Sequence, residues 1–487
     1  MTRIETPRFT LQDVLTATGG TLVQPGRADA FDGVSTDSRS LAAGSLFVPL
    51  AGPRFDGHDY LGQAARAGAA GVLVERGRES LVKGLEPATA AVSVPDTLRA
   101  LGDLARLWRS RFAIPVVGVT GSTGKTTTKE MAAAIMGREK NLLKNEGNFN
   151  NLVGLPLTIF RMNAAHEAAV LEMGTNRRGE IARLTEIAAP TVGLVTNVGP
   201  AHLEGLGSLE TIREEKGDLY RVMDGRGTAV INLDDSLLAP WAAQWKGRKI
   251  TFGIDSDADV TASRIAYEAE RGTVVTLLAE GRLEANPEVA LAEGASREIL
   301  LPVSGFHNVS NALAAAAAAL GAGFGFDAIC QGLMAFRPVG GRMEVWRLKN
   351  GACLIDDTYN ANPASVAAAL KTLQGLKGEC KSTVILGDML ELGGEAERYH
   401  EEIGRAVAET GVGKAYLRGD FARATAKGAL KRGMKGEQVL VELSTEETVA
   451  HLKACLRTGD WVLVKGSRKM KMEEIVQAIL GAIGVAK

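Results

Sequence analysis

The sequence predicts an α/β protein with mainly parallel strands, divided into three domains. Short β-branched runs alternate with alanine-rich helical segments along nearly the whole chain, the pattern of strands covered by helices. At 487 residues the chain is too long for one ordinary hydrophobic core, and its length corresponds to about three domains. Turn-like breaks then separate three blocks, 1–98, 99–337 and 338–487.

In the first block, strands are expected near Ser45 to Pro49 and Gly71 to Val74, and "VPDTL" closes the block ahead of a helix. The second block opens on "GVTGSTGKTTTKEM", residues 118–131. Ile114 to Val119 reads as a buried strand and Thr126 to Met136 as a helix, with a glycine-rich turn between them. Gly121 and Gly124 can take backbone angles that other residues resist, so that the N–H groups of Thr120, Ser122, Thr123 and Thr127 can converge on an anion at the helix start. Lys125 adds a mobile positive charge, and the Thr126 hydroxyl is placed for Mg²⁺. The spacing T-G-S-T-G-K-T departs from the standard G-x-x-x-x-G-K-[ST] loop, since Val119 stands where its first glycine would be. A plain glycine-rich turn with an exposed lysine is the alternative, but strand, loop, Lys-Thr and helix all agree on a nucleotide, ATP.

Further along, "EAAVLEMG" puts Glu172, and "TVGLVTNVGPAHLEG" puts His202, just past strands. Strand ends converge on the ligand crevice of an open parallel sheet, so both are expected Mg²⁺ ligands, although His is an unusual choice for so hard a cation. "NALAAAAAALGAGFG", 311–325, is a short alanine-dominated helix suited to packing and not to spanning a membrane. The third block begins after the Pro-Gly-Gly linker "FRPVGGR", 336–342. Three expected strand-end loops there carry Asp356, Asp357, Tyr359 and Asn360; Asp388 and Glu391; and Lys465, Ser467 and Arg468, with Pro363 able to begin a helix. Each alone is equally a solvated loop; together they suggest a second ligand-facing rim closing on the ATP domain.

Composition sets the surroundings. The chain is 45% hydrophobic and 23% charged, with a net charge of −1, so it has no basic surplus for a nucleic-acid partner. Its 57 glycines are scattered among apolar segments, as tight strand-to-helix turns require. Cys330, Cys353, Cys380 and Cys455 form no C-x-x-C pair and are expected as reduced thiols in the cytoplasm. The opening "MTRIETPRFT" lacks the apolar core of a signal peptide, and no membrane insertion is expected. The expected state is a monomer.

These residues resemble the Mur ligases, ATP-dependent amide-forming enzymes of bacterial cell-wall precursor synthesis. The resemblance runs through "GVTGSTGKTTTKEM", "NEGNFNNLVGLP", "LEMGTNRRGEI", "TNVGPAHLEGLGS", "GFHNVSNALAAAA", "GRMEVW" and "DDTYNANPASV", in order and across all three blocks. It implies a uridine-nucleotide-binding amino-terminal domain, a central P-loop ATPase domain and a Rossmann-like carboxyl-terminal domain. "YNANP", "LGDMLELG" and "VKGSRKMKME" are most similar to the member that adds D-alanyl-D-alanine to UDP-N-acetylmuramoyl-tripeptide. The sibling that adds diaminopimelate or lysine usually carries an Asp-Asn-Pro-Arg signature, absent here. A folylpolyglutamate-type ligase and a P-loop switch without ligase activity are further alternatives.

The resemblance also implies site residues. Ser35, Asp37, Ser38, Arg39, Phe55, Asp56, Gly57 and His58 would hold uridine and pyrophosphate, and Asn148, Asn151 and Thr175 the peptide end of that substrate. His307, Asn308 and Asn311 would contact the base and ribose of ATP, Arg342 its phosphates, and Asp357, Tyr359 and Asn360 the nucleotide from the third domain. Asp388, Glu391, Lys465, Ser467 and Arg468 would surround the dipeptide. Thr126 and Glu172 would hold one Mg²⁺ at the phosphates, a second Mg²⁺ near His202 would bridge phosphate and carboxylate, and Lys216 would be carbamylated as an anionic metal ligand, although an exposed helical lysine is the plain alternative. Lys125, His202 and Lys216 are the catalytic candidates of a reaction through an acyl phosphate, with ordered domain closure.

Overall fold

Strand Val116–Thr120 lies inside a nine-stranded sheet, third from one edge. Ala168–Glu172 and then Leu142–Lys144 flank it on one side, Val192–Val195, Thr228–Asn232 and Arg248–Phe252 on the other, and all these pairings are parallel. The chain therefore leaves Val116–Thr120 in one direction and later returns to its opposite side. That makes the turn after this strand the topological switch point, where open α/β sheets leave a crevice. Val260–Glu268 continues the sheet, and Gly272–Ala279 and Ala295–Leu301 extend it as antiparallel strands. The computed structural model describes residues 7–268, 271–279 and 294–486, so most of the amino-terminal stretch read above lies outside the described residues.

The strand expected over 114–119 begins two residues later, and the helix after the glycine turn spans Lys125–Met136. The alanine-rich segment is longer than expected at its start and splits at its end. Helix Phe306–Gly321 is followed by a turn at Gly323, which has φ 93°, and by helix Phe326–Ala335. Ala312 to Ala319 are all buried against the sheet and the Lys125–Met136 helix, where small side chains permit close approach. Among the described residues no helix is long and apolar enough to cross a membrane.

The third block folds on six strands in the order Glu344–Arg347, Cys353–Asp357, Trp461–Lys465, Ser382–Leu386, Lys414–Leu417, Val439–Val441. Only the first of these pairs antiparallel. The three strands expected to share a rim are adjacent, and helix Pro363–Lys377 begins at its proline with Asn362 as N-cap, in a reciprocal capping box with Ser365.

The first block carries a five-stranded sheet, Thr21–Gln24, Ala90–Val94, Gly71–Glu75, Leu46–Phe47, Val34–Ser35, beside the antiparallel pair Arg8–Thr10 and Ala30–Asp32. The strand expected over 45–49 is only Leu46–Phe47. The break placed at residue 98 falls inside helix Thr97–Arg109, whose apolar face packs both ways. Phe9, Phe31 and Leu46 of the first block share one hydrophobic cluster with Leu101, Trp108, Leu155 and Phe160. Trp108 and Phe160 meet Phe9 edge-on, at 5.9 and 6.1 Å.

Candidate active site

The glycine turn is built so that only glycine fits. Gly121 has φ 143°, and a Cβ there would lie 1.9 Å from Thr196 Oγ1; Gly124 has φ 77°, and its Cβ would meet Asn311 Oδ1 at 2.2 Å. Side chains from the next strand end lace the loop in place. Thr123 donates from N–H and hydroxyl to Asn197 Oδ1 at 3.0 and 3.1 Å, and Thr196 Oγ1 donates to Thr123 O at 2.6 Å. Lys125 Nζ donates to Gly121 O at 2.6 Å, bent over the loop's own carbonyls. Burial holds this amine below the usual lysine range, with the nearby Glu172 charge opposing. Thr120 ends the strand beneath the loop with its hydroxyl buried and unpartnered, while Ser122 to Thr127 line a cleft of about 590 Å³.

Thr126 and Glu172 meet in that cleft: Thr126 Oγ1 donates to Glu172 Oε2 at 2.8 Å. Glu172 is the last residue of its strand and not just past it, so its backbone is held by the sheet. Two asparagines hold the rest. Asn145, buried, takes the Glu172 N–H on Oδ1 and gives its Nδ2 to Glu172 O, both at 2.9 Å, extending the ladder where the edge strand Leu142–Lys144 stops. Asn150 Nδ2 donates to Glu172 Oε1 at 2.8 Å. Sequence reading singled out Asn148 and Asn151 from the same "NEGNFNN" run; both line the cleft, Asn151 with its Oδ1 accepting Val153 and Gly154 N–H. Asn145, Asn150 and Asn197 were missed; the crowding of asparagines over 145–151 was an available signal for the first two.

Lys216 is 1% exposed, and its Nζ is buried with no hydrogen-bond partner. Burial first, and the Lys125 charge second, drive its pKa well below the lysine range. An exposed helical lysine is therefore excluded. His202 lies well past the strand Val192–Val195, in left-handed backbone with φ 56°, capping the short helix Leu203–Leu206. Its Nδ1 is 2.7 Å from Glu391 Oε2, in the third block. Thr175 is buried at the cleft edge, its hydroxyl 2.7 Å from Arg177 O and 3.1 Å from Glu215 Oε1.

The third block reaches the same cleft. Arg342 Nη2 donates to Thr126 Oγ1 at 2.9 Å, and its guanidinium lies 3.9 Å over the Tyr359 ring. Arg468 stands 5.9 Å from that ring. Lys465 Nζ bonds Asp357 Oδ2 at 2.6 Å and Asn360 O at 2.9 Å. His307 is pushed down to about 4 by burial, against the charge of Asp357. Asn311 braces the loop helix, accepting from Thr128 Oγ1 at 3.3 Å and donating to Asn308 Oδ1 at 3.1 Å. A second cavity of about 300 Å³ adjoins the first, lined by Lys125, His202, Glu391, Ser467 and Arg468 among others.

Two expected contacts are corrected. Asp388 does not face this rim: it is buried, and its carboxylate accepts the N–H groups of Asp420 at 2.7 Å and Phe421 at 3.1 Å, tying one loop to the next. His58 is likewise turned inward, because its Nε2 accepts the Glu75 N–H at 3.2 Å while Nδ1 donates to Asp56 Oδ1 at 2.7 Å. Asp56 also pairs with Arg78. Gly57 supports that turn, since a Cβ would lie 2.6 Å from Leu50 N. Ser467 points its hydroxyl toward Leu390 N and Ala361 O. The remaining first-block candidates do not line the cleft: Ser35 accepts the Asp37 N–H, Ser38 is buried, Asp37 and Arg39 pair at the surface, and Phe55 is 61% exposed.

Three family models match the chain: Mur ligase family, catalytic domain, over 30–109; Mur ligase middle domain, over 119–319; and Mur ligase, glutamate ligase domain, over 341–468. The UDP-N-acetylmuramoyl-tripeptide--D-alanyl-D-alanine ligase of Bacillus subtilis is 35% identical over 473 residues, 97% of this chain and 98% of that one. A crystal structure of MurF from Acinetobacter baumannii superposes with a TM-score of 0.84 at 30% identity, covering 98% of this chain and 100% of the other. The MurF ligase of Thermotoga maritima in complex with ADP gives 0.79 at 28% identity, covering 92% and 97%.

Proposed function

The chain belongs to the Mur ligase family, and from that premise we propose that it is the ATP-dependent ligase that adds D-alanyl-D-alanine to the terminal carboxylate of UDP-N-acetylmuramoyl-tripeptide. One observation carries this reading. The phosphate loop, the Thr126–Glu172 pair and, from beyond the linker, Arg342, Asp357 and Lys465 meet in a single cleft. The first block supplies a separate surface for the nucleotide end of the substrate.

A carboxylate does not acylate an amine in water at useful rates, because its oxygen is a poor leaving group. Transfer of the γ-phosphoryl group to it, with release of ADP, gives an acyl phosphate; the dipeptide amine then attacks the carbonyl carbon and expels phosphate. The first step brings two anions together, and the site's task is to offset their repulsion. Lys125, held over the loop by Gly121 O, is released toward phosphate when those oxygens arrive. Arg342, stacked on Tyr359, adds a second fixed cation.

Thr126 Oγ1 and Glu172 Oε2 are hard oxygen donors side by side at the helix start, which suits Mg²⁺. His202 and Lys216 complete the proposed metal set. The buried, unpartnered Lys216 amine, whose charged form is disfavoured there, suits carbamylation, in which nitrogen attacks CO₂, loses a proton and becomes an anionic oxygen donor. Bound there, Mg²⁺ neutralises phosphate charge. His307, Asn308 and Asn311 would then face the nucleoside, Asn148, Asn151 and Thr175 the peptide, and Arg468 the dipeptide. We take the working unit to be a monomer and place the activity in the cytoplasm, where ATP is available.

The test is to incubate the protein with ATP, Mg²⁺ and the nucleotide tripeptide, with and without D-alanyl-D-alanine, and to follow products by mass spectrometry. A product heavier by one dipeptide less water, with phosphate released only in its presence, is expected. Extension of the dipeptide precursor by a diamino acid instead would move the assignment to the sibling. Carbamylation is read separately as a ¹³C-carbamate signal after equilibration with labelled bicarbonate, absent in Lys216→Met.

A further inference from the structure

His202 belongs to the central block by sequence, yet its side chain is oriented from the third. Among the described residues the hydrogen-bond partner of its imidazole is Glu391, at 2.7 Å from Nδ1. The same acidic residue accepts the Glu204 N–H on its backbone carbonyl at 3.1 Å. Leu203, between them, packs on the hydrophobic cluster of the third block, to which Leu392 and Ala396 belong. The turn is anchored to its own block at Gly205, where a Cβ would lie 2.0 Å from Asn176 O. Both partners of the pair hold left-handed backbone, φ 56° at His202 and 65° at Glu391, which a non-glycine residue adopts at a cost and keeps where surrounding contacts demand it.

We propose that Glu391 is a positioning residue for His202, so that docking of the third block aligns a metal ligand of the central block. The chemistry follows from the donor set. A carboxylate oxygen accepts, so Nδ1 must carry the proton, and the lone pair of the imidazole is left on Nε2. Carboxylates commonly fix a metal-binding histidine in this way. With the third block undocked, the turn keeps Gly205 but loses Glu391 and the seat of Leu203, and the ring is free in rotamer and tautomer. Assembly of the metal set is thereby coupled to closure, which spares ATP until both halves of the cleft have met. The proposal rests on the reading of His202 as a metal ligand, and it gives Glu391 a different task from a dipeptide contact.

The experiment compares wild type, Glu391→Ala, Glu391→Gln and His202→Ala, with ATP analogue and first substrate present. The tautomer is read from ¹⁵N shifts of histidine-labelled protein, with the His202 signal assigned by its loss in His202→Ala. Separately, ligation is followed against MgCl₂ concentration and against D-alanyl-D-alanine. For Glu391→Ala we expect loss of the pure Nδ1–H form, a Mg²⁺ requirement raised about tenfold, and an unchanged KM for the dipeptide. Glu391→Gln, whose carbonyl can accept the same bond, should restore the tautomer and stay near wild type. An unaltered tautomer in Glu391→Ala overturns the proposal, as does a raised dipeptide KM at an unchanged Mg²⁺ requirement. If His202→Ala keeps the wild-type Mg²⁺ requirement, it is the metal reading of His202 that fails, and the ¹⁵N result still decides what Glu391 does.

Discussion

Replacing Asn145 with alanine tests how the Glu172 carboxylate is held in place. The Asn145 side chain makes three hydrogen bonds, with Glu172 N–H, Glu172 O and Phe149 O, each at 2.9 Å, while its backbone carbonyl accepts the buried Lys129 ammonium at 2.8 Å. The substitution deletes the three side-chain bonds and leaves the Glu172 N–H and carbonyl without partners in a buried place. At about 1 kcal/mol net for each bond the loss is about 3 kcal/mol, and more if no water reaches the orphaned groups. For a unit the size of the central block that corresponds to roughly 6 to 12 °C in melting temperature. Asn145→Asp keeps the acceptor for the Glu172 N–H but turns a carboxylate oxygen toward the Glu172 and Phe149 carbonyls in a buried place, so it should lose at least as much stability as alanine. Differential scanning fluorimetry gives the stability, and the MgCl₂ dependence of ligation reports where the carboxylate sits. Asn145→Ala with an unchanged melting temperature and an unchanged Mg²⁺ requirement would refute the argument, because Glu172 would then be positioned by its strand alone.

Gly124→Ala should cost about 1 to 2 kcal/mol from its left-handed backbone, and the clash of its Cβ with Asn311 should displace the loop; calorimetry is expected to show ATP binding lost in protein whose circular dichroism is near normal. Arg342→Lys keeps the charge but not the planar stack on Tyr359 or the Thr126 contact, and should weaken ATP about tenfold in the same titration. His307 titrates at about 4 in the folded chain against an ordinary value of 6.5. The folded form thus binds fewer protons, and this residue's share of stability is lost as pH falls from 6.5 through 4. Urea titrations should show His307→Gln losing less stability than wild type across that window, with the two curves parallel above pH 7.

The phosphate loop was legible because its conformation is dictated locally, by glycines that tolerate positive φ and by a strand and helix with strong patterns of their own. The three-strand rim of the third block was legible for a related reason: parallel strands end together, so polar residues just past buried runs converge. What escaped was whatever depends on a partner far along the chain. Asp388 and Lys465 both come after apolar runs, Lys465 as the last residue of its strand, yet Asp388 turns to the N–H groups of Asp420 and Phe421 while Lys465 turns into the cleft toward Asp357. Nothing in the neighbouring residues distinguishes the two. His58 was misread for the same reason, since the Glu75 N–H that claims it comes from another strand. Asn145 also escaped: asparagines crowd its loop, but nothing there singles out the one that works on the backbone of Glu172.

The hydrophobic cluster that crosses residue 98 makes the first and central blocks a single solid body. On the proposed reading, a nucleotide-linked peptide anchored on the first block and presented to the phosphate loop would be gauged by its length, as an object is against a fixed stop. A precursor one residue short leaves its carboxylate about 3.5 Å from the place where phosphate is transferred, and one residue too many must buckle. Phe9, Trp108 and Phe160, which touch no substrate, would then take part in choosing it: loosening their packing should blur the discrimination between peptide lengths before it weakens the hold on either end.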